Sequence, residues 1–143
     1  AYWLRFHLPI KILQMQNPKG IAIFQSQYSV KETIDRLQSF LQEHGATIYA
    51  RIDQQVEAEK VGLRLRPLEF ILFGNPKTGG PIMAENPLVA LDLPLKVIAW
   101  EDNEKKVWIG YNEASYIGDR YWLPGSVESL LDISPLIKKA LTN

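Results

Sequence analysis

The chain has 143 residues, 46% of them hydrophobic, with sixteen basic and sixteen acidic side chains and no cysteine. That is enough apolar material for one domain with a real core. The balanced charge argues against a nucleic-acid binder, which carries a basic excess or stripe. Missing cysteine removes disulfides, thiol nucleophiles and thiolate metal sites together. It does not choose between cytoplasm and periplasm for what reads as a soluble protein. No apolar run approaches the roughly 18 residues that span a bilayer. Near-zero net charge also permits self-association, because copies repel weakly.

Residues 2–8 alternate, with Tyr2, Leu4, Phe6 and Leu8 on one side and Trp3, Arg5 and His7 on the other. This period of two predicts an edge strand or arm, a candidate partner contact. Ile21–Ser26 reads as a strand. Ser29 and Glu32 then form a capping box ahead of Val30, Ile34, Leu37 and Leu41, one face of an amphipathic helix. His44 and Gly45 end it. Residues 46–53 read as a strand and 54–62 as a helix. Residues 67–73 are nearly all apolar, as in a central strand covered on both faces. A loop follows through Gly79, Gly80 and Pro81, with a short helix at 82–85. Two strands, Leu95–Glu101 and residues 106–111, form a hairpin through residues 102–105. Residues 113–121 are expected to be helical, and 126–141 to hold two short helices, with Ser134 and Pro135 starting the second. This order lacks a regular βαβ cadence. It predicts a two-layer α+β sandwich, a mixed sheet with helices mainly on one face.

Gly74 and Gly79 have the spacing of a phosphate loop, but Gly80 and Pro81 stand where lysine and a hydroxyl residue are required. The mismatch argues against nucleotide hydrolysis there and leaves a glycine-rich turn beside Asn75 and Lys77 that can cradle a small anion or simply shape a strand exit. His7 and His44 share no ligand spacing, so neither a metal nor another cofactor is expected. No serine sits in a nucleophile elbow. Glu101, Asp102 and Glu104 with Lys105 and Lys106 read as a solvated charge cluster. Lys96 interrupts an apolar strand start and must snorkel or pair, with Asp92, Glu101 or Tyr111 within reach. Tyr116 and Arg120 are four apart, on one helix face, where the guanidinium can stack on the ring.

The stretch from Gly74 to Arg120 carries Gly74-Asn75-Pro76-Lys77, Leu91-Asp92-Leu93-Pro94-Leu95-Lys96, Trp100-Glu101-Asp102, Val107-Trp108, Tyr111-Asn112, Tyr116 and Arg120 in one order. In this it resembles the domain family of unknown function 302 (DUF302). The resemblance covers residues 20–122, with an arm at 1–19 and a helical extension of the same domain at 123–143. It implies a small α+β domain, commonly an associating pair, and no established activity. Members of the subgroup often place a histidine after the aspartate ending the second strand; here Asp53 is followed by Gln54.

The leading expectation is a non-catalytic homodimeric domain binding a small ligand or a protein. Its candidate residues are Asn75, Lys77, Asp92, Lys96, Glu101, Asn112, Tyr116 and Arg120. The alternatives are a hydrolase or isomerase using Lys96 with a carboxylate, and an oligomerisation scaffold built on residues 2–8.

Overall fold

The computed structural model describes residues 19–142, so the expected strand at residues 2–8 lies outside the described residues. In chain order the elements are β1 (Ile21–Ser26), α1 (Val30–Glu43), β2 (Thr47–Asp53), α2 (Gln54–Glu59), β3 (Leu68–Gly74) and α3 (Pro76–Glu85). A 3-10 turn (Pro87–Leu91) leads to β4 (Leu95–Glu101), β5 (Val107–Asn112), α4 (Ala114–Arg120) and α5 (Gly125–Glu128). A second 3-10 turn (Ser129–Leu131) and α6 (Ser134–Leu141) are the last described elements.

The five strands lie in the order β1-β5-β4-β3-β2. The α+β class is as expected, but the sheet is antiparallel at every pairing rather than mixed. The reason is connectivity. β2, β3, β4 and β5 run as a meander in which each strand pairs with the next. The long connection through α1 carries the chain from one edge strand to the other, so β1 and β2 run the same way without pairing. β3 is therefore one strand in from the edge, and β4 is central. On β3 only Glu69, Ile71 and Phe73 are buried, in strict alternation.

α1 forms where its cap and its apolar stripe agree. The Ser29 hydroxyl accepts the Glu32 amide at 3.1 Å, while the Glu32 carboxylate pairs with Arg36 at 3.5 Å instead of closing the box. Val30, Ile34, Leu37 and Leu41 are buried against Ile71, Phe73, Val97, Ala99 and Ile109 of the sheet, with Ile137 and Ala140 of α6 beside them. Each large side chain so buried contributes about 2 kcal/mol. Gly45 ends α1 at φ +85°, a conformation that favours glycine.

α3 corrects the expected loop. Asn75 accepts the Lys77 amide at 3.0 Å and Pro76 takes the first helical turn, so the helix starts at the strand exit and runs through Gly79, Gly80 and Pro81. Glycine and proline cost about 1 and 3 kcal/mol in a helix interior, so this helix is held by its cap and by tertiary packing such as that of Ile82 rather than by propensity. A second cluster, Ile82, Val89, Ile117, Tyr121 and Leu131, closes this end of the sheet.

Candidate functional site

Antiparallel order places the start of β2, the exit of β3, the start of β4 and the exit of β5 at one end of the sheet. An apolar cleft of about 420 Å³ opens there. Leu41, Phe73, Met83, Leu93, Leu131 and Ile133 supply its walls, and His44, Tyr49, Asn75 and Thr78 its polar groups. Each polar group is set by its element. His44 caps α1, with Nδ1 2.8 Å from the Phe40 carbonyl and its ring stacked on Phe40 at 4.1 Å. The carbonyl can only accept, so Nδ1 carries the proton and Nε2 is an acceptor in the neutral ring. Asn75 caps α3 through Oδ1, which leaves its Nδ2 as a donor. Tyr49 is half exposed on β2 beside Gly74.

The eight sequence candidates divide among several places. Asn75 lines the cleft. Asp92, Lys96 and Asn112 line an adjoining cavity of about 290 Å³ that shares the Leu93-Pro94-Leu95 wall with it. Tyr116 and Arg120 line a third cavity of about 400 Å³ with Glu113 and Asp119. Lys77 lines none of these three. Glu101 ends β4 at the opposite end of the sheet, where it pairs with Arg66 at 3.5 Å. It is not part of any site with the others.

Local contacts explain this division. Asp92 Oδ2 accepts from Arg120 Nη1 at 3.1 Å and from the Tyr121 hydroxyl. Burial pushes the Tyr121 phenol above its ordinary range, and the bond to the Asp92 carboxylate adds to the shift. Arg120 therefore lies over Tyr121, with 5.4 Å to the ring centroid, in place of the expected stack on Tyr116. Lys96 snorkels: it is exposed, with Nζ 4.5 Å from the Phe70 ring centroid. The buried amine that a lysine-centred mechanism needs is not built here. Tyr111 points away to the helical layer, where its hydroxyl meets Ser134 at 2.6 Å. Burial raises the Tyr111 phenol as well. Asp102 leaves the expected charge cluster, because it accepts from Trp108 and two backbone amides.

Among the described residues, no group of three or more His, Cys, Asp or Glu side chains is placed to hold a metal ion. Within the same residues, no helix is long and apolar enough to cross a membrane. Sequence reasoning missed His44 and Tyr49, and reached Thr78 only as part of the loop from Asn75 to Gly79. The three come from different elements that meet only through the sheet, so no spacing rule unites them. In sequence His44 reads as a helix end and as a histidine with no ligand-spaced partner.

The family model for "Domain of unknown function DUF302" matches residues 22–142, past the limit of residue 122 that the motifs suggested. The crystal structure of an uncharacterized conserved DUF302 protein from Bacillus stearothermophilus superimposes with a TM-score of 0.72. It covers 87% of this chain and 97% of that one at 20% identity, which establishes a shared fold. The chain is also 36% identical over 104 residues to fluoride-specific ion channel FluC 1 of Brucella suis biovar 1 (strain 1330). FluC 2 of Brucella melitensis biotype 1 (strain ATCC 23456 / CCUG 17765 / NCTC 10094 / 16M) is likewise 36% identical over 104 residues. Those matches cover 73% of this chain but only 41% and 38% of the two relatives.

Proposed function

This chain belongs to the DUF302 family, whose description names no activity, and from its own geometry we propose that it is a non-catalytic binding domain for a small molecule. The cleft at the end of the sheet carries the reading. It has the size and the mostly apolar lining of small-molecule sites, with a few polar groups to fix orientation. The polar cluster of Asp92, Arg120 and Tyr121 is internally paired and serves to hold α4 against the 3-10 turn. The homodimer implied by the family resemblance is part of the proposal, and sedimentation mass tests it separately.

Gly79 provides a direct test of the cleft. A Cβ there would sit at ordinary contact distance from Leu93 and Met83, 3.7 and 3.8 Å. Gly79→Leu adds helix propensity, about 0.5–1 kcal/mol, while its longer side chain fills the cleft. A screen by thermal shift is expected to find small apolar compounds that stabilise the native chain and leave Gly79→Leu unmoved. Compounds that stabilise both equally would place binding elsewhere.

The partial match to Brucella channels supports a second, compatible reading, in which the domain is an appended module of a longer protein. Deleting the matching segment from the Brucella suis relative would then alter the control of that protein and leave its conduction intact. Loss of conduction itself would contradict this reading.

A further inference from the structure

Resting on the binding-domain reading, we infer that the cleft selects an uncharged ligand: an apolar body of about a dozen non-hydrogen atoms carrying one neutral hydroxyl or amide head group. The size follows from about 420 Å³ of space at roughly 30 Å³ per atom-sized unit, the share of one water molecule. The class follows from the chemistry of the lining. None of the described residues that line the cleft is a Lys, Arg, Asp or Glu. A carboxylate or ammonium seated there gives up part of its hydration and finds no counter-charge in the lining to offset it.

The polar groups that remain are matched to a neutral head. Asn75 has its oxygen committed to the Lys77 amide, so its Nδ2 donates. His44 has Nδ1 committed to Phe40, so Nε2 accepts. The Thr78 and Tyr49 hydroxyls do either. An alcohol or a primary amide, which both donates and accepts, uses both kinds of group; a carboxylate uses only the donors and an ammonium only the acceptors, and neither finds a counter-charge in the lining. Charged groups do lie close by, but Asp92 and Lys96 line the adjoining cavity beyond the Leu93-Pro94-Leu95 wall. Asp92 is bound to Arg120 and Tyr121, and Lys96 rests on Phe70.

The test is calorimetric titration at neutral pH with four ligands of equal bulk: octan-1-ol, octanamide, octanoate and octylammonium. The alcohol and amide are expected to bind at least tenfold more tightly than either ion. Octanoate binding as well as the alcohol would overturn the inference on charge while leaving the cleft as a binding site, and would implicate Lys96. No saturable binding by any of the four would count against the cleft itself. Asn75→Asp sharpens the result, since aspartate caps a helix as well as asparagine does but replaces the Nδ2 donor with a carboxylate. In that variant octylammonium is expected to overtake octanamide. An unchanged ranking would show that Asn75 does not meet the head group.

Discussion

The indole Nε1 of Trp108 donates to Asp102 Oδ2 at 2.9 Å, from a ring that is only 2% exposed. The second oxygen of the same carboxylate accepts the Glu104 and Lys106 amides at 2.8 and 2.9 Å. One side chain thus closes the β4–β5 hairpin and satisfies a buried indole. Asp102→Ala leaves that N–H without a partner and is expected to cost about 1.5–3 kcal/mol, the range for hydrogen bonds to a charged group. Asp102→Asn tests the charge: if its amide nitrogen takes the Oδ2 position, two donors face each other there. Denaturant midpoints check both, and a change under about 0.5 kcal/mol, typical of an unimportant surface site, would contradict the role.

Two carboxylates should set the acid limb of stability. Burial raises the Asp102 carboxyl, but the bonds from Trp108, Lys106 and Glu104 outweigh it and hold the group below its usual value. The Arg51 hydrogen bond lowers Asp35 in the same direction, against a smaller opposing effect of burial. A depressed folded-state pKa contributes stability that is present above the unfolded value, near 3.9, and lost as pH falls through the folded one. Stability is therefore expected to hold from neutrality to about pH 4 and to drop below it. Asp102→Ala should flatten that drop in urea titrations at pH 6 and pH 3.

Arg51 reaches across from β2 to bind Glu69 at 3.0 Å and Asp35 at 2.6 Å. Glu69 is 8% exposed and sits among the buried side chains of β3. Arg51→Met strands that carboxylate and should cost about 3 kcal/mol. Adding Glu69→Gln should recover part of the loss, because the amide is cheaper to leave unpaired. No recovery in the double-mutant cycle would show that the two side chains act independently.

Gly20 precedes β1 at φ +76°, and a Cβ there would run into the Tyr116 ring. Backbone strain and overpacking act together, so Gly20→Ala is expected to cost more than about 2 kcal/mol. Thermal melts of Gly20→Ala with and without Tyr116→Ala separate the two effects. If Tyr116→Ala relieves the steric part, the Tyr116 ring is a packing element that shapes this end of the sheet.

Much of the fold was legible because local signals and burial agreed. Ser29 with Val30, Ile34, Leu37 and Leu41 marks α1 through cap and period at once. The strands from Leu95 to Asn112 follow from their apolar runs and the turn residues between them. The direction of pairing was not legible, because it depends on which edge β1 joins after α1. Gly79, Gly80 and Pro81 hid a helix whose stability comes from a cap and from tertiary packing. The site was legible only in part. Asn75 announced itself as a polar residue at a strand exit, and Asp92, Lys96 and Asn112 do meet around one cavity. Leu41 and Phe73 read as core residues, and in sequence nothing distinguishes an apolar wall from an apolar interior.

The most direct measurement is an amide NMR titration of the native chain with octan-1-ol. The expected result is saturable shifts confined to residues around Gly74–Gly79, Leu93–Leu95 and Leu130–Ile133, absent in Gly79→Leu. Shifts that fail to saturate, or that survive unchanged in Gly79→Leu, would contradict a binding site at this end of the sheet.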